Sequence, residues 1–300
     1  MRRFARSLRL ALIPAVGLCG SSALAAGQTP DTEILLGDIT QRGAEVTVGG
    51  FANVTNRAGY DNQPGFTADS RALLFTSQVD GQTDIYRYDL GSGQTSQVTR
   101  TPESEYSATV MPGGERFSVI RVEADSTQRL WSFRLDGDDP RLVLRDIAPV
   151  GYHAWLTDDA LALFVLGRPA TLQIADVASG QARVHAHDIG RSLHRVPGRA
   201  AASYVHQDGG DARIRTFDVT TGATRDLAPP VAGSADYAWT PGGVLVMGAG
   251  PRLFALDPLT DETWREVADL SSADVEAITR IAVSPDGRRI AVVVTLGGGM

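Results

Sequence analysis

Histidines are the residues with which this sequence could bind a metal. All five lie between His153 and His206, and His185 and His187 alternate along one predicted strand, so both imidazoles would lie on one face. Imidazole is a common transition-metal ligand. His153 and His194 form a second pair, at equivalent places in a repeated pattern, but no third ligand can be identified for either pair. We therefore predict no metal site and no cofactor.

Two residue types are nearly or wholly missing, and this excludes several kinds of chemistry. Cys19 is the single cysteine, and no lysine occurs, so all 28 basic side chains are arginine. Disulfides, cysteine metal sites, thiol nucleophiles, Schiff bases and a phosphate-binding P-loop lysine are excluded from the chain after the leader. No other constellation of catalytic residues can be recognised, and we predict no catalytic residues.

Residues 1–25 have the pattern of a secretory signal peptide. Four arginines precede an apolar stretch from Leu10 to Leu18, and Ala23-Leu24-Ala25 is a small-x-small cleavage site. We predict cleavage near Ala25 and a periplasmic or secreted product. Leu18 stands where a lipoprotein would have a small residue before Cys19, so lipidation is the minor alternative. No later apolar run is long enough to cross a membrane.

Removing the leader takes four arginines and no acids from a chain of net charge -7, which leaves -11. A protein this acidic is a poor candidate for nucleic acid or for anionic membranes. We predict instead a protein or peptide partner, with a glycan or a cation as alternatives, and a monomeric chain.

A repeated unit positions the candidate residues. Short segments rich in β-branched and aromatic residues alternate with turns, and a unit such as Val283-Ser284-Pro285-Asp286-Gly287 recurs every 41 to 45 residues. Proline, aspartate and glycine suit the turn of a tight hairpin. Each unit begins with an apolar or aromatic anchor residue: Phe66, Val110, Trp155, Val196, Trp239 and Val283.

A period of this length with several short strands is typical of β-propeller blades, and six anchors predict six four-stranded blades. After the last anchor the chain has enough residues for two strands only. The segments Glu33 to Ile39 and Ala44 to Val48 supply the missing strands of that blade. The sequence therefore predicts an all-β protein, with residues 26–300 forming one six-bladed propeller that its N-terminal strands close.

The units resemble the WD40-like Pro-Asp-Gly repeats of the TolB-like propeller family. Val283 to Val292 and Pro64 to Leu90 match best, the second with Asp84-Ile85-Tyr86-Arg87-Tyr88-Asp89. The resemblance implies a six-bladed propeller that binds proteins of the cell envelope. TolB itself carries an α/β domain before its propeller, and we expect a stand-alone propeller here, because about ten residues separate the leader from the first strand. Oligogalacturonate lyases have similar repeats and hold a metal with histidines from several blades.

In propellers, sites usually lie in the central funnel, where the segments just before each innermost strand converge. Counting back from the anchors predicts a polar mouth of mixed charge that could bind a peptide, a sugar or a cation. His185 and His187 would lie on an outer strand, far from it. The alternative is that the counted residues are ordinary solvated loop residues. The candidate binding residues are Asp61, Gln63, Glu105, Tyr106, Tyr152, His153, His194, Asp236, Tyr237 and Arg280.

Two functions fit these features. The first is a non-enzymatic interaction module of the cell envelope that binds a protein or peptide at its funnel. The alternative is a carbohydrate-active or metal-dependent enzyme with His153 and His194 in the funnel.

Overall fold

A computed structural model describes residues 30–297, and within them the structure is built almost entirely of β-strands. The first two strands of the described residues form a hairpin, β1 (Glu33–Arg42) and β2 (Glu45–Asn53). They are followed by five four-stranded antiparallel sheets, in each of which the four strands are sequential along the chain. The predicted leader lies outside the described residues.

The five sequential sheets are blades one to five of the propeller. Blade one contains β3 (Asp61–Phe66), β4 (Ala72–Val79), β5 (Gln82–Asp89) and β6 (Thr95–Gln97). Blade two contains β7 (Ser104–Val110), β8 (Arg116–Val122), β9 (Gln128–Arg134) and β10 (Arg141–Leu142). Blade three contains β11 (Val150–Trp155), β12 (Ala160–Val165), β13 (Thr171–Asp176) and β14 (Gln181–His187). Blade four contains β15 (Ile189–Arg195), β16 (Ala201–Asp208), β17 (Asp211–Asp218) and β18 (Thr224–Ala228). Blade five contains β19 (Tyr237–Trp239), β20 (Leu245–Ala249), β21 (Arg252–Leu256) and β22 (Arg265–Asp269).

The sixth blade joins the two ends of the chain. After a short 3-10 turn (Ser271–Ala273), β23 (Val275–Val283) and β24 (Arg289–Leu296) form its two inner strands. Strand β1 pairs with β24 from Glu33 opposite Val294 to Asp38 opposite Arg289, and the sheet order is β2-β1-β24-β23. This confirms the predicted six-bladed ring and its closure by the N-terminal strands, which pair with β24 and complete the last blade.

The predicted turns join the first and second strands of the blades. In blade six the Ser284 hydroxyl donates to an Asp286 carboxylate oxygen at 2.6 Å, and Gly287 adopts φ 68°, where glycine carries no steric penalty. Thr67 and Asp69 make the same contact in blade one at 2.7 Å. The anchor residues end the innermost strands or follow them directly, so the candidate residues counted back from them lie mostly on those strands and not in the loops before them.

The hydrophobic core consists of six clusters, one between each pair of neighbouring blades. The cluster between blades one and two, for example, stacks Phe117 on Phe133 with the ring centroids 5.7 Å apart, and adds Leu74 and Ile85 from the neighbouring sheet. Burial of this apolar surface holds each sheet against the next. The blades therefore surround the central channel as a ring of similar interfaces. Across residues 30–297 there is no helix with the length and apolar character needed to span a membrane.

Candidate functional site

β-Bulges interrupt the innermost strands at similar heights and re-aim their side chains. A bulge places an extra residue in one strand and turns the neighbouring side chains. Five of the six innermost strands carry such a register shift, at Asn62/Gly65, Tyr106/Thr109, Val150/Tyr152, Ile189/Leu193 and Ile278/Arg280. In blade five the strand begins at Tyr237, directly after Asp236.

Two bulge residues hold a left-handed backbone conformation. Gln63 has φ 55° and Ser107, its equivalent in the next blade, has φ 58°. Such a conformation costs a non-glycine residue about 1 kcal/mol, so neighbouring contacts must offset it. The Gln63 Oε1 accepts hydrogen bonds from the Thr76 hydroxyl and the Ser107 backbone N–H, both at 3.0 Å. Gln63 thus joins blade one to blade two at the channel.

A cavity of about 900 Å³ occupies the channel between the bulges and the hairpin turns that follow the innermost strands. All six blades contribute to its wall. The wall is largely apolar and aromatic, and it includes Phe66, Met111, Trp155 and Trp239. The volume lies in the range of small-molecule and peptide sites.

The floor of this cavity is polar, and it contains Tyr152, Arg191, Asp236 and Arg280, which come from four different blades. Arg280 donates to the Asp236 carboxylate at 3.1 Å and to the Tyr152 hydroxyl at 2.9 Å. Arg191 donates to the same Asp236 oxygen at 2.7 Å. We call these four residues the cavity floor. Charge-assisted hydrogen bonds of this kind are the stronger ones, and they fix the floor across the channel.

Tyr60, which directly precedes β3, lies near the same group. Its pKa is raised to about 12, chiefly by burial; Tyr152 and Tyr106 also raise this pKa, while Arg280 and Arg191 lower it. Tyrosines from blades one, two and three therefore lie on one side of the channel layer. The charged residues of the cavity floor, Arg191, Asp236 and Arg280, come from the opposite blades four, five and six.

His153 and His194 both line the cavity, but each is bound into the junction between two blades. The His153 Nε2 lies 2.6 Å from the Ser118 hydroxyl of blade two, which also accepts from the Trp155 indole N–H at 2.9 Å. The His194 Nε2 lies 3.0 Å from the Ser192 hydroxyl on its own strand, and its ring packs against Tyr237 of blade five, with the centroids 4.8 Å apart. Burial lowers the pKa of His153 to about 3 and that of His194 to about 4, so both imidazoles are neutral at pH 7.

Tyr237 touches the cavity but is almost wholly buried. Its hydroxyl donates to the Ser203 hydroxyl at 2.9 Å, and Ser203 also accepts from the Trp239 indole N–H at 2.8 Å. Burial raises the pKa of Tyr237, and its ring packs 4.8 Å from His194. Ser203 in blade four therefore does for Trp239 what Ser118 in blade two does for Trp155.

Three of the residues predicted for the funnel, Asp61, Glu105 and Tyr106, are not in the described lining of the cavity. Asp61 is buried and accepts from Arg57 at 2.7 Å. Glu105 is buried and accepts from Arg121 at 3.0 Å and from the Thr101 hydroxyl. Burial raises the pKa of Glu105 to about 7, while Thr101 and Arg121 lower it. The acids lie near the start of their strands, before the bulge, whereas the cavity begins at the bulge.

The structure also gives the positions of the histidines that could act as metal ligands. His185 and His187 lie on β14, the outermost strand of blade three, as predicted. Over residues 30–297, no three side chains among His, Cys, Asp and Glu come together in a way that could hold a metal ion.

Arg191 is not among the residues predicted from the sequence, although its guanidinium shares Asp236 with Arg280. The bulge in β15 spans Ile189 to Leu193 and is longer than the others, so counting back from Val196 reached Leu193 and His194. Arg191 lies five residues before its anchor and Asp236 lies three before its own, so no constant offset selects both. Trp155 and Trp239 were recognised as anchors only, and their indoles form part of the cavity wall.

Comparison with solved structures places this architecture among known propellers. A candidate TolB from Agrobacterium tumefaciens superposes with a TM-score of 0.70 at 16% identity, covering 89% of this chain and 99% of that one. The fold is a TolB-like β-propeller. This confirms the resemblance of the repeats at the level of fold.

Enzymes share the TolB-like fold as well. A gluconolactonase from Xanthomonas campestris superposes with a TM-score of 0.63 at 12% identity, covering 86% of this chain and 95% of that one. An oligogalacturonate lyase in complex with manganese gives a TM-score of 0.53 at 14% identity, covering 90% and 99%. No protein-family model and no curated protein sequence matches the chain. At these identities the likeness concerns the fold alone.

Proposed function

We propose that this protein is an exported binding module that takes a segment of a partner protein into its cavity. The observation that carries the proposal is the cavity itself, with about 900 Å³ of space, an apolar wall and a polar floor. Peptide and ligand sites commonly combine apolar lining with a few placed polar groups that fix orientation. Export and a periplasmic or extracellular place rest on the leader pattern of residues 1–25.

The walls offer anchoring surface of the kind that protein interfaces use. Trp239 is half-buried and is held in place by a hydrogen bond to Ser203, so ordering it on binding costs little entropy. Met111, on the turn after β7, adds a flexible apolar side chain that adapts to different shapes. A rigid scaffold with adaptable turns at one mouth supports recognition of a protein segment.

Site-specific photo-crosslinking tests this function. Benzoylphenylalanine is placed at position 111, in the cavity wall, and at position 259 as control, because Leu259 is 91% exposed and lies outside the cavity. Both variants are expressed with the leader in the native host and irradiated in intact cells. We expect a discrete adduct from position 111 that position 259 does not give. Identical adduct patterns at both positions, or no adduct at position 111, would contradict the proposal.

A catalytic function is the second candidate, and one observation favours it. His153 lines the cavity, and its Nδ1 is buried without a hydrogen-bond partner within residues 30–297. Elemental analysis of the dialysed protein and a thermal shift with Mn²⁺ and Ca²⁺ test the metal-dependent form. A bound metal, or a stabilisation by Mn²⁺ that His153→Ala abolishes, would support the enzyme. If the protein contains no metal, and neither cation shifts the melting temperature of the wild type or of His153→Ala, the metal-dependent enzyme is excluded.

A further inference from the structure

The charge of the cavity is opposite to the charge of the protein. Four charged side chains line it: Arg191, Arg195, Arg280 and Asp236. Three cations and one anion make this lining positive, although the whole chain has a net charge of -7. A local reversal of sign within low-dielectric walls concentrates the field on a bound group.

The arginines of the floor also have unused hydrogen-bonding capacity. Asp236 is shared by both, since its Oδ2 accepts from Arg191 and from Arg280. The Arg191 side chain is 43% exposed, and its Nη1 makes no hydrogen bond to any residue from 30 to 297. A guanidinium presents five N–H donors in a planar fork that matches a carboxylate. A single aspartate therefore leaves room for a second anion.

Resting on the proposed function, we propose that the cavity recognises an acidic peptide segment, with a carboxylate of that segment bound at the Nη1 edge of Arg191 on the cavity floor. Arg280 holds Asp236 and Tyr152 in place, so that Arg191 stays oriented toward the cavity. The apolar walls take the neighbouring side chains of the segment, and the half-buried Trp239 and Met111 contact them. Electrostatic complementarity then gives the selectivity, whereas the apolar wall contributes contact area.

The test compares three fluorescein-labelled hexapeptide pools by fluorescence anisotropy with the full chain. The pools share variable Leu, Phe, Pro and Gly positions and differ at two fixed positions, which are Glu, Gln or Lys. We expect the Glu pool to bind about tenfold more tightly than the Gln pool, and the Lys pool to bind most weakly. Raising the salt concentration reduces the preference, because ions screen the arginines.

Matched variants locate the effect. Arg191→Gln brings the Glu pool to within about twofold of the Gln pool. Arg195→Gln, at an exposed position, provides a second variant that should fold even if the floor does not tolerate change. Arg252→Gln is the control, because Arg252 is 52% exposed and lies outside the cavity lining. It should keep the full preference for the Glu pool.

Several results would overturn the inference. They are equal binding of the Glu and Gln pools, a preference for Lys, no binding of the Glu pool, or a preference that Arg191→Gln and Arg195→Gln leave unchanged. Digalacturonate serves as a further probe. If the protein binds digalacturonate and does not bind the Glu pool, the recognised carboxylate belongs to a sugar, and the inference of an acidic peptide is overturned. Equal binding of all pools together with a specific adduct at position 111 refutes the inference and leaves the proposed function standing. If the Glu pool has no preference and position 111 gives no specific adduct, the inference and the proposed function are both refuted.

Discussion

Arg280 of blade six donates a hydrogen bond at 2.9 Å to the hydroxyl of Tyr152 in blade three. In a ring of six blades these two residues come from opposite sides of the channel. The Arg280 guanidinium also lies 5.5 Å from the centre of the Tyr152 ring, which adds a cation–π contact. One pair therefore connects two halves of the ring that share no sheet.

Tyr152→Phe should lower the free energy of unfolding by about 1 kcal/mol, because it removes the acceptor and keeps the ring. Urea unfolding followed by circular dichroism measures this. Tyr88→Phe is the control, since the Tyr88 hydroxyl makes no hydrogen bond within the described chain, and it should unfold like the wild type. Equal stability of the two variants would show that the bond across the channel contributes nothing.

Ser203→Ala should be more damaging than its size suggests. The hydroxyl accepts from Tyr237 and from Trp239, and its loss leaves two donors at the blade junction without an acceptor. We expect a loss of about 2 kcal/mol in the free energy of unfolding. Ser96→Ala, on the exposed outer strand of blade one, is the comparison and should change stability by less than about 0.5 kcal/mol.

Ser118→Ala provides a repeat of that measurement in another blade pair. It removes the acceptor of Trp155 and the partner of His153, so a similar loss is expected. If both serine variants unfold like the wild type, solvent must replace the lost contacts, and the indoles are then not held as described.

The buried imidazoles should make the protein sensitive to acid. Burial lowers the pKa of His153 to about 3, so below about pH 6.5 the unfolded chain takes up a proton that the folded chain does not. Stability is then lost as the pH falls, by about 2 kcal/mol from this residue between pH 7 and pH 5. His194, with its pKa lowered to about 4, acts in the same direction.

His153→Gln tests this, because it should reduce the loss of unfolding free energy between pH 7 and pH 5 whatever its effect at pH 7. Urea unfolding at both pH values gives the two differences. His187→Gln, on the exposed face of β14, should retain the wild-type slope. A steep acid loss that His153→Gln leaves untouched would place the sensitivity elsewhere.

Glu105 should act in the opposite direction. Burial raises its pKa to about 7, so between its unfolded value of 4.5 and about 7 the folded chain holds a proton that the unfolded chain has released. The associated stability is fully present below pH 4.5 and is lost as the pH rises through 7. Relative to the wild type, Glu105→Gln should therefore gain about 1 kcal/mol between pH 6 and pH 8. A constant difference between the two chains at those pH values would contradict the prediction.

The ring could be predicted from the sequence because its units are local. Each blade is a set of hairpins, and turn residues such as Pro285, Asp286 and Gly287 act through their own backbone preferences. The repeat length then fixes the number of strands per blade, and the leftover strands at the two ends identify the closure. None of these steps needs contacts between distant residues.

The candidate site could be predicted only in part. Counting from the anchors identified Tyr152, Asp236 and Arg280, which the structure brings together in the cavity floor. It also selected Asp61 and Glu105, which are buried in ion pairs before the bulges. A constant offset from an anchor fails wherever a bulge changes the register, and bulges differ in length between blades.

Composition, turn chemistry and period were therefore sufficient for the all-β class, the six blades and their closure, because these depend on interactions between neighbours along the chain. The side of the channel on which the cavity lies, the positive lining within an acidic protein and the bond between Arg280 and Tyr152 depend on how six blades pack around one axis. Residues 128 positions apart meet there only after the ring has closed, so the tertiary structure alone could reveal them.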